Sequence, residues 1–351
     1  MKRAIAITAV FVALAGACTR TGPGDVRSSH VTITLLTHDS FDVTASVLRR
    51  FEAQSGITVK VVPVGDAGQL VNRAILSAGN PEGDVLFGID NNQLSTALAA
   101  DVFLPYTSPR LAEVDPPYEL DPQHRVTPVD HGEVCINDDK AFFDRAGLAP
   151  PQTLEDLVDP RYRGMLVVEN PATSTPGLAF LLATIAHFGP MGWEDHWRSL
   201  RANDVLVVDG WESAYYGEFS GAGGGEGTHP LVVSYASSPV AEMVFAETPL
   251  TEPPTGVMES SCFRQIELAG ILRGTQQVEA AQQLVDFLLS TDFQNDIPLR
   301  MFVYPVTDDA TLPEVFAQNA VVPASPLSLP AKQIAANHED WVQRWTDIVL
   351  R

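Results

Sequence analysis

The sequence predicts an α/β protein built on a largely parallel sheet, and three observations point there. Short β-branched runs alternate with amphipathic segments of helical period from residue 31 onward. The stretch 164–183, GMLVVENPATSTPGLAFLLA, reads as a buried strand that feeds straight into a helix. The chain has 351 residues, 45% of them hydrophobic and 19% charged, which is enough for two compact lobes with their own cores. Repeated β-α-β units imply parallel strands with helices on both faces. Ligands of such sheets collect outside the carboxyl ends of the strands.

In chain order, residues 31–36 read as a strand, 43–54 as an amphipathic helix stopped near Gly56, and 57–64 as a second strand. A helix over 70–78, a buried strand over 84–89 and a helix over 92–100 follow. A second set begins after Gly132, with strands at 165–168, 205–208 and 231–235. The helix after 165–168 opens with Pro176, which suits a first helical position because its missing N–H would be unpaired there. A strand at 263–268 then leads to helices at 278–289 and 292–297. The last helix, 331–349, carries Ile334, Trp341, Trp345 and Ile348 at helical spacing, as core rather than ligand contacts. GAGGGEGTHP, 221–230, lacks the spacing of a nucleotide cradle and reads as an exposed loop.

Residues 1–18 form a targeting segment, in which Lys2 and Arg3 precede an apolar run over 4–14 too short to span a bilayer. Its end, LAGAC, fits an ordinary A-x-A cleavage site or a lipobox that would make Cys18 an acylated first residue. The lipobox is favoured, because residues 19–30 form a polar, Gly/Pro-containing tether of the kind a membrane-anchored domain needs. The net charge of −22 and the absence of a basic stripe exclude nucleic acid as a partner. An acidic field instead favours a cationic ligand or serves solubility. No G-x-S-x-G, HExxH or P-loop is present and the cysteines have no metal spacing, so neither enzyme nor metal chemistry nor any cofactor is expected.

Thr173, Ser174 and Thr175 supply hydroxyls and free backbone N–H groups ahead of the 176 helix. They make either a plain N-cap or an anion-tolerant helix end. Further blocks accompany them: THDSF after the first strand, DVLFGIDNNQL from Asp84, LVDPRYRG before the 165 strand, VVDGWESAY from Val207, VVSYASSP from Val232, and DFQNDIP from Asp292 with YPV from Tyr304. In this order and spacing, over 32–345, the chain resembles the thiamine-binding proteins of bacterial ABC transporters. The LVDPRYRG segment is shared more widely with binding proteins for ferric ion, polyamines and phosphonates.

The resemblance implies a two-lobe fold of the periplasmic-binding-protein type II, with the ligand cleft between the lobes. Lobe 1 would comprise 31–132 and 263–351, and lobe 2 would comprise 133–262. It also implies a monomer that takes thiamine or a thiamine phosphate at the outer face of the membrane, held there by its lipid anchor, and passes it to a permease. Thiamine offers a thiazolium cation, an aminopyrimidine ring and a hydroxyethyl arm. Trp211 and Tyr235 become ring contacts on that basis, and Ser174 and Thr175 the partners of the hydroxyethyl or phosphate end. Asp39 either caps the first helix or faces the ligand, Asp66 sits near the ligand's polar end, and Asp90 ends a strand at the cleft.

The chain departs from the family at His38, in the 130–133 DHGE block, at Ala241, and at Phe302 where an indole is usual. These changes remove stacking surface and add His131 and Glu133 to the groups that carry charge. They feed two rivals on the same scaffold, ferric iron held by His38, His131, Glu133, Tyr215 and Tyr216, or a polyamine. A thiamine-degrading enzyme would need Cys135 or Cys262 as nucleophile. If the family fold holds, these two cysteines lie on the strands crossing between the lobes, where they either pair or point apart.

Overall fold

The computed structural model describes residues 31–222 and 227–351. The expected targeting segment, Cys18 and its tether, and the centre of the 221–230 loop lie outside the described residues. The first half of the chain alternates as its pattern dictates: β1 (Val31–Thr37), α1 (Ala45–Ser55), β2 (Ile57–Pro63), α2 (Ala67–Leu76), β3 (Val85–Asp90), α3 (Leu94–Ala99) and the short β4 (Phe103–Leu104). Helix α1 buries Val47 and Phe51 and ends at Gly56, whose φ of 72° is a left-handed cap. All six residues of β3 are buried, as expected of a central strand covered on both faces.

Next come β5 (Thr127–Asp139), α4 (Lys140–Ala146), β6 (Leu166–Glu169), α5 (Thr175–Ala202), β7 (Leu206–Val208), β8 (Leu231–Tyr235), α6 (Ser238–Val244) and β9 (Thr255–Leu272). The chain finishes with α7 (Val278–Leu288), α8 (Thr291–Gln294), α9 (Ile297–Arg300), β10 (Tyr304–Pro305), α10 (Glu314–Asn319) and α11 (Ala331–Val349). Helix α5 breaks at Gly189, with φ 69° and Pro190 next, so it is two helices joined at a kink. The helix expected over 292–297 is two short turns, α8 and α9, because Pro298 starts a new one.

Ten strands form one sheet in the order β2-β1-β3-β9-β5-β8-β6-β7, with β4 beside β9 and β10 beside β5. The sheet is mixed rather than largely parallel. β1 is parallel to β2 and β3, and β6 to β7 and β8, whereas β9 runs antiparallel to β3 and β5, and β5 antiparallel to β8. The two long strands β5 and β9 carry the chain across and back, so they must oppose each other. They are longer than expected because alternation inside a run buried on both sides gives no boundary signal.

Each half of the sheet has helices on both faces. Val47, Phe51, Leu284 and Phe287 cover one face of the β1–β3 half, and Leu70, Val71 and Leu94 the other. In the other half, α5 and α11 cover one face through Trp193, Trp197, Trp341 and Trp345. Residues 214–222 cover the opposite face. Helix α11 was expected with lobe 1, but its tryptophans join the core built on β6 and β8, with Trp345 edge-on to Trp197 at 5.4 Å. It also comes against α3. Cys135 on β5 and Cys262 on β9 are joined in a disulfide, fully buried beside Ala236.

Candidate functional site

A cavity of about 250 Å³ opens beyond the carboxyl ends of β1, β2, β6, β7 and β8, against Glu267 of the crossing strand β9. That is below the roughly 300 Å³ at which ligand clefts for drug-sized molecules begin, which suits a small solute. Asp39, Asp66, Asp209, Glu212 and Glu267 line it, and among the described residues no lysine or arginine does.

A row of acids runs under the floor, with Glu267 its member that reaches the cavity. Asp90 on β3 and Asp130 on β5 both lie opposite Glu267 on β9, so three carboxyls stand side by side across adjacent strands. Like charges placed opposite one another repel. Asp90 is fully buried, and burial pushes its carboxyl up to about 7 although it accepts from the N–H groups of Asn92 and Gln93. Burial and then the neighbouring Glu267 raise Asp130 well above the usual carboxylate range. His38, just past β1, answers this row with its Nε2 3.3 Å from Glu267. Its burial opposes a charge on the ring, but Glu267, Asp66 and Asp39 outweigh it and the histidine is raised. Gly88, at φ 115°, makes room for the ring, since a Cβ there would stand 2.7 Å from His38 Cδ2.

The aromatic wall comes from the other half. Trp211 donates its Nε1–H to Ser234 Oγ at 2.9 Å and stacks on Tyr215 at 5.0 Å. Tyr235 lies over Gly132, where any Cβ would press on its ring at 3.2 Å, and its hydroxyl donates to Gln265, which in turn donates to Thr175 Oγ1. Residues Ser213–Glu218 form a single π-helical turn, a distortion that often marks functional sites. It leaves Tyr215 buried against Glu242 and Tyr216 half-exposed, with their rings perpendicular. Phe302 lines the mouth with a strained φ of 56°, and its carbonyl accepts from Ser237.

At the far corner Asp66 opens α2 without capping it by its side chain. Its carboxylate crosses the cleft instead, with Oδ1 accepting from Thr175 N–H at 3.2 Å and Oδ2 from Trp211 N–H at 3.0 Å. Burial raises this carboxyl, against the pull of those donors.

Of the residues expected at the site, His38, Asp39, Asp66, Thr175, Trp211, Tyr235 and Phe302 line the cavity. Ser174 is buried behind it as the N-cap of α5, and Asp90 lies beneath the floor. Asp39 does not cap the first helix: Thr44 holds that position, and Asp39 Oδ1 accepts from Gly65 N–H at 2.9 Å. His131 and Glu133 are not cleft groups, because strand alternation turns them away from Asp130 and Gly132. His131 is stacked between Tyr118 and Tyr304, and Glu133 pairs with Arg264. Glu267 was missed; the available signal was an acid inside the apolar run 266–272. Among the described residues no group of three or more His, Cys, Asp or Glu is arranged to hold a metal ion.

Comparison with known proteins adds three findings. The family model of the bacterial extracellular solute-binding proteins matches residues 81–325. The thiamine-binding periplasmic proteins of Salmonella typhimurium and Escherichia coli are each 30% identical over 91% of this chain and 94% of their own. A solved periplasmic thiamin binding protein superposes with a TM-score of 0.80 at 29% identity, covering 91% of this chain and 96% of that one.

Proposed function

Because the chain belongs to the family of bacterial extracellular solute-binding proteins, we propose that it captures thiamine outside the cytoplasm for an ABC importer. The observation that carries this reading is the cavity itself, with aromatic rings on one side and five carboxylates around it. A thiazolium over Trp211 or Tyr235 gains roughly 0.5–2 kcal/mol from the ring face, and Glu267 with the other acids of the lining supplies the opposite charge. The relatives, named as periplasmic binding proteins rather than enzymes, support a role in binding and export to the periplasm. On this reading the chain is an anchored monomer, acylated at Cys18, that closes over its ligand and presents both lobes to a permease.

The lobe limits we adopt are those expected from the sequence, 31–132 with 263–351 against 133–262, save that α11 packs with the second lobe. A polyamine is the second reading, favoured by the absence of a basic residue among the cavity's described lining. Iron is disfavoured by the perpendicular Tyr215 and Tyr216. A thermal-shift series tests these readings. A ligand bound only by the folded state stabilises by about 2.7 kcal/mol at one hundred times its dissociation constant. Thiamine should raise the midpoint and spermidine should not; the reverse would select the polyamine. A visible absorption band on adding ferric citrate would select iron.

A further inference from the structure

Among the described residues of the cleft lining, His38 is the one side chain able to carry a positive charge. It is also a position at which the chain departs from the thiamine-binding family. Its Nε2 is buried 3.3 Å from Glu267 Oε1, yet it is in hydrogen-bonding alignment with no group. The ring is wedged in place, tilted on Phe87 at 5.6 Å and seated over Gly88. Acids face it from each neighbouring element: Asp39 beside it, Asp66 ahead of α2 and Glu267 on β9, with Asp90 of β3 and Asp130 of β5 behind Glu267. Burial pulls the imidazole down, but Glu267, Asp66 and Asp39 outweigh it and raise it. The cleft therefore brings its own cation to the carboxylate that a ligand cation would use.

We propose that His38 is the resident counter-cation of the cleft, and that an organic cation binding beside Glu267 takes the place of the histidine's proton. The proton leaves Nε2 for bulk water, the wedged ring remains as neutral imidazole, and the net charge around Glu267 is unchanged. Were the proton kept, two positive charges would face one carboxylate at close range and repel each other. The exchange rests on the reading of the cleft as a thiamine site and adds a regulation to it. Binding that releases a proton strengthens as pH rises, by up to about tenfold per pH unit for one proton, and levels off once the histidine of the free protein is neutral. An uncharged ligand displaces no proton and gains nothing from this rise.

Calorimetry of thiamine on the full exported protein from pH 6 to 8.5, run at each pH in two buffers of different ionisation heat, counts the protons released. The native protein should bind about threefold or more tightly at pH 8 than at pH 6, with proton release greatest near the histidine's midpoint. Asp90, which burial lifts to about 7, and the raised Asp130 would release protons with the same sign, so variants separate the sources. His38→Gln should lose more than half of the release and of the pH dependence, and Asp90→Asn should keep more than half. A proton NMR titration reads the ring itself: saturating thiamine should lower the His38 midpoint, and an uncharged analogue of the same two-ring framework should leave it in place. Thiamine binding with equal release in the native protein and His38→Gln, or with the His38 midpoint unmoved or raised, would overturn the exchange and leave the ligand reading standing. If thiamine does not bind, the ligand reading fails and spermidine, a cation throughout this range, decides in its place. If neither binds at pH 8, the exchange falls as well.

Discussion

Two histidines on the crossing region stand next to a glutamate, and the fold treats them in opposite ways. His38 faces the cavity and Glu267, and the surrounding acids raise it. His131 has Glu133 at 3.9 Å, yet burial and then Arg264 push it down to about 4. The difference is compensation. Behind the strands, Arg264 neutralises Glu133 and two tyrosines sandwich a neutral imidazole. On the other side burial raises Asp90 and Asp130, with Asn92 and Gln93 donating to Asp90, and Glu267, paired with His38, is the member of the row that faces the cavity a ligand enters.

The far side should therefore answer in stability and the near side in binding. The largest effect is expected from Tyr304→Ala, which removes one slice of the His131 sandwich. By analogy with other buried aromatics truncated to alanine it should cost about 3–5 kcal/mol in chemical denaturation, while the thiamine affinity of the folded protein stays within twofold. A comparable loss of affinity would erase the distinction between the two sides.

The pH dependence sharpens it. A histidine whose folded value lies below its unfolded one contributes stability that is complete above about 6.5 and is lost as pH falls. For His131, down to about 4, that loss amounts to about 3 kcal/mol. The raised carboxyls Asp90 and Asp130 act in the other direction, gaining stability as they protonate. The measurable quantity is therefore the difference between the native protein and His131→Phe, followed by urea denaturation from pH 7.5 to 4. The variant should lose less stability on acidification; parallel curves would place the charge elsewhere.

On the near side, Trp211→Ala should cost roughly 0.5–2 kcal/mol of thiamine binding from the lost ring face, read by calorimetry, with a smaller change in stability because Trp211 is only partly buried. A variant that binds unchanged would move the cation away from this wall. The smallest effect is expected from His38→Gln. His38 is raised, so its contribution is full below about 6.5 and fades as pH rises through its folded value. The variant should lose stability on the acid side and match the native protein at alkaline pH. A loss confined to alkaline pH would reverse the assigned sign.

Much of this was legible in the sequence because local pattern and tertiary role agree there. The β1–α1–β2–α2–β3 alternation, the strand-to-helix turn at 164–183 and the aromatics placed just after strands all announce themselves by period and punctuation. The missed parts depend on which way a residue points. His131 and Glu133 sit one step from Asp130 and Gly132, and a one-residue difference in a strand chooses the face. The disulfide depended on the meeting of two strands separated by 127 residues, which no local signal encodes. Asp39 had a helix cap open to it by position, but its carboxylate holds the Gly65 N–H instead, and the two bonds Asp66 makes across the cleft join residues more than a hundred positions apart. The tryptophans of α11 were legible as core, but the helix they belong to packs on the lobe built from the middle of the chain.

The most direct measurement is a calorimetric titration of the purified exported protein at neutral pH with thiamine and, separately, with an uncharged analogue of the same two-ring framework. Saturable one-to-one binding of thiamine, with the uncharged analogue at least tenfold weaker, is the result expected of an acidic, aromatic-walled cleft. Equal binding of the two, or no heat from thiamine at millimolar concentration in a folded preparation, would contradict it.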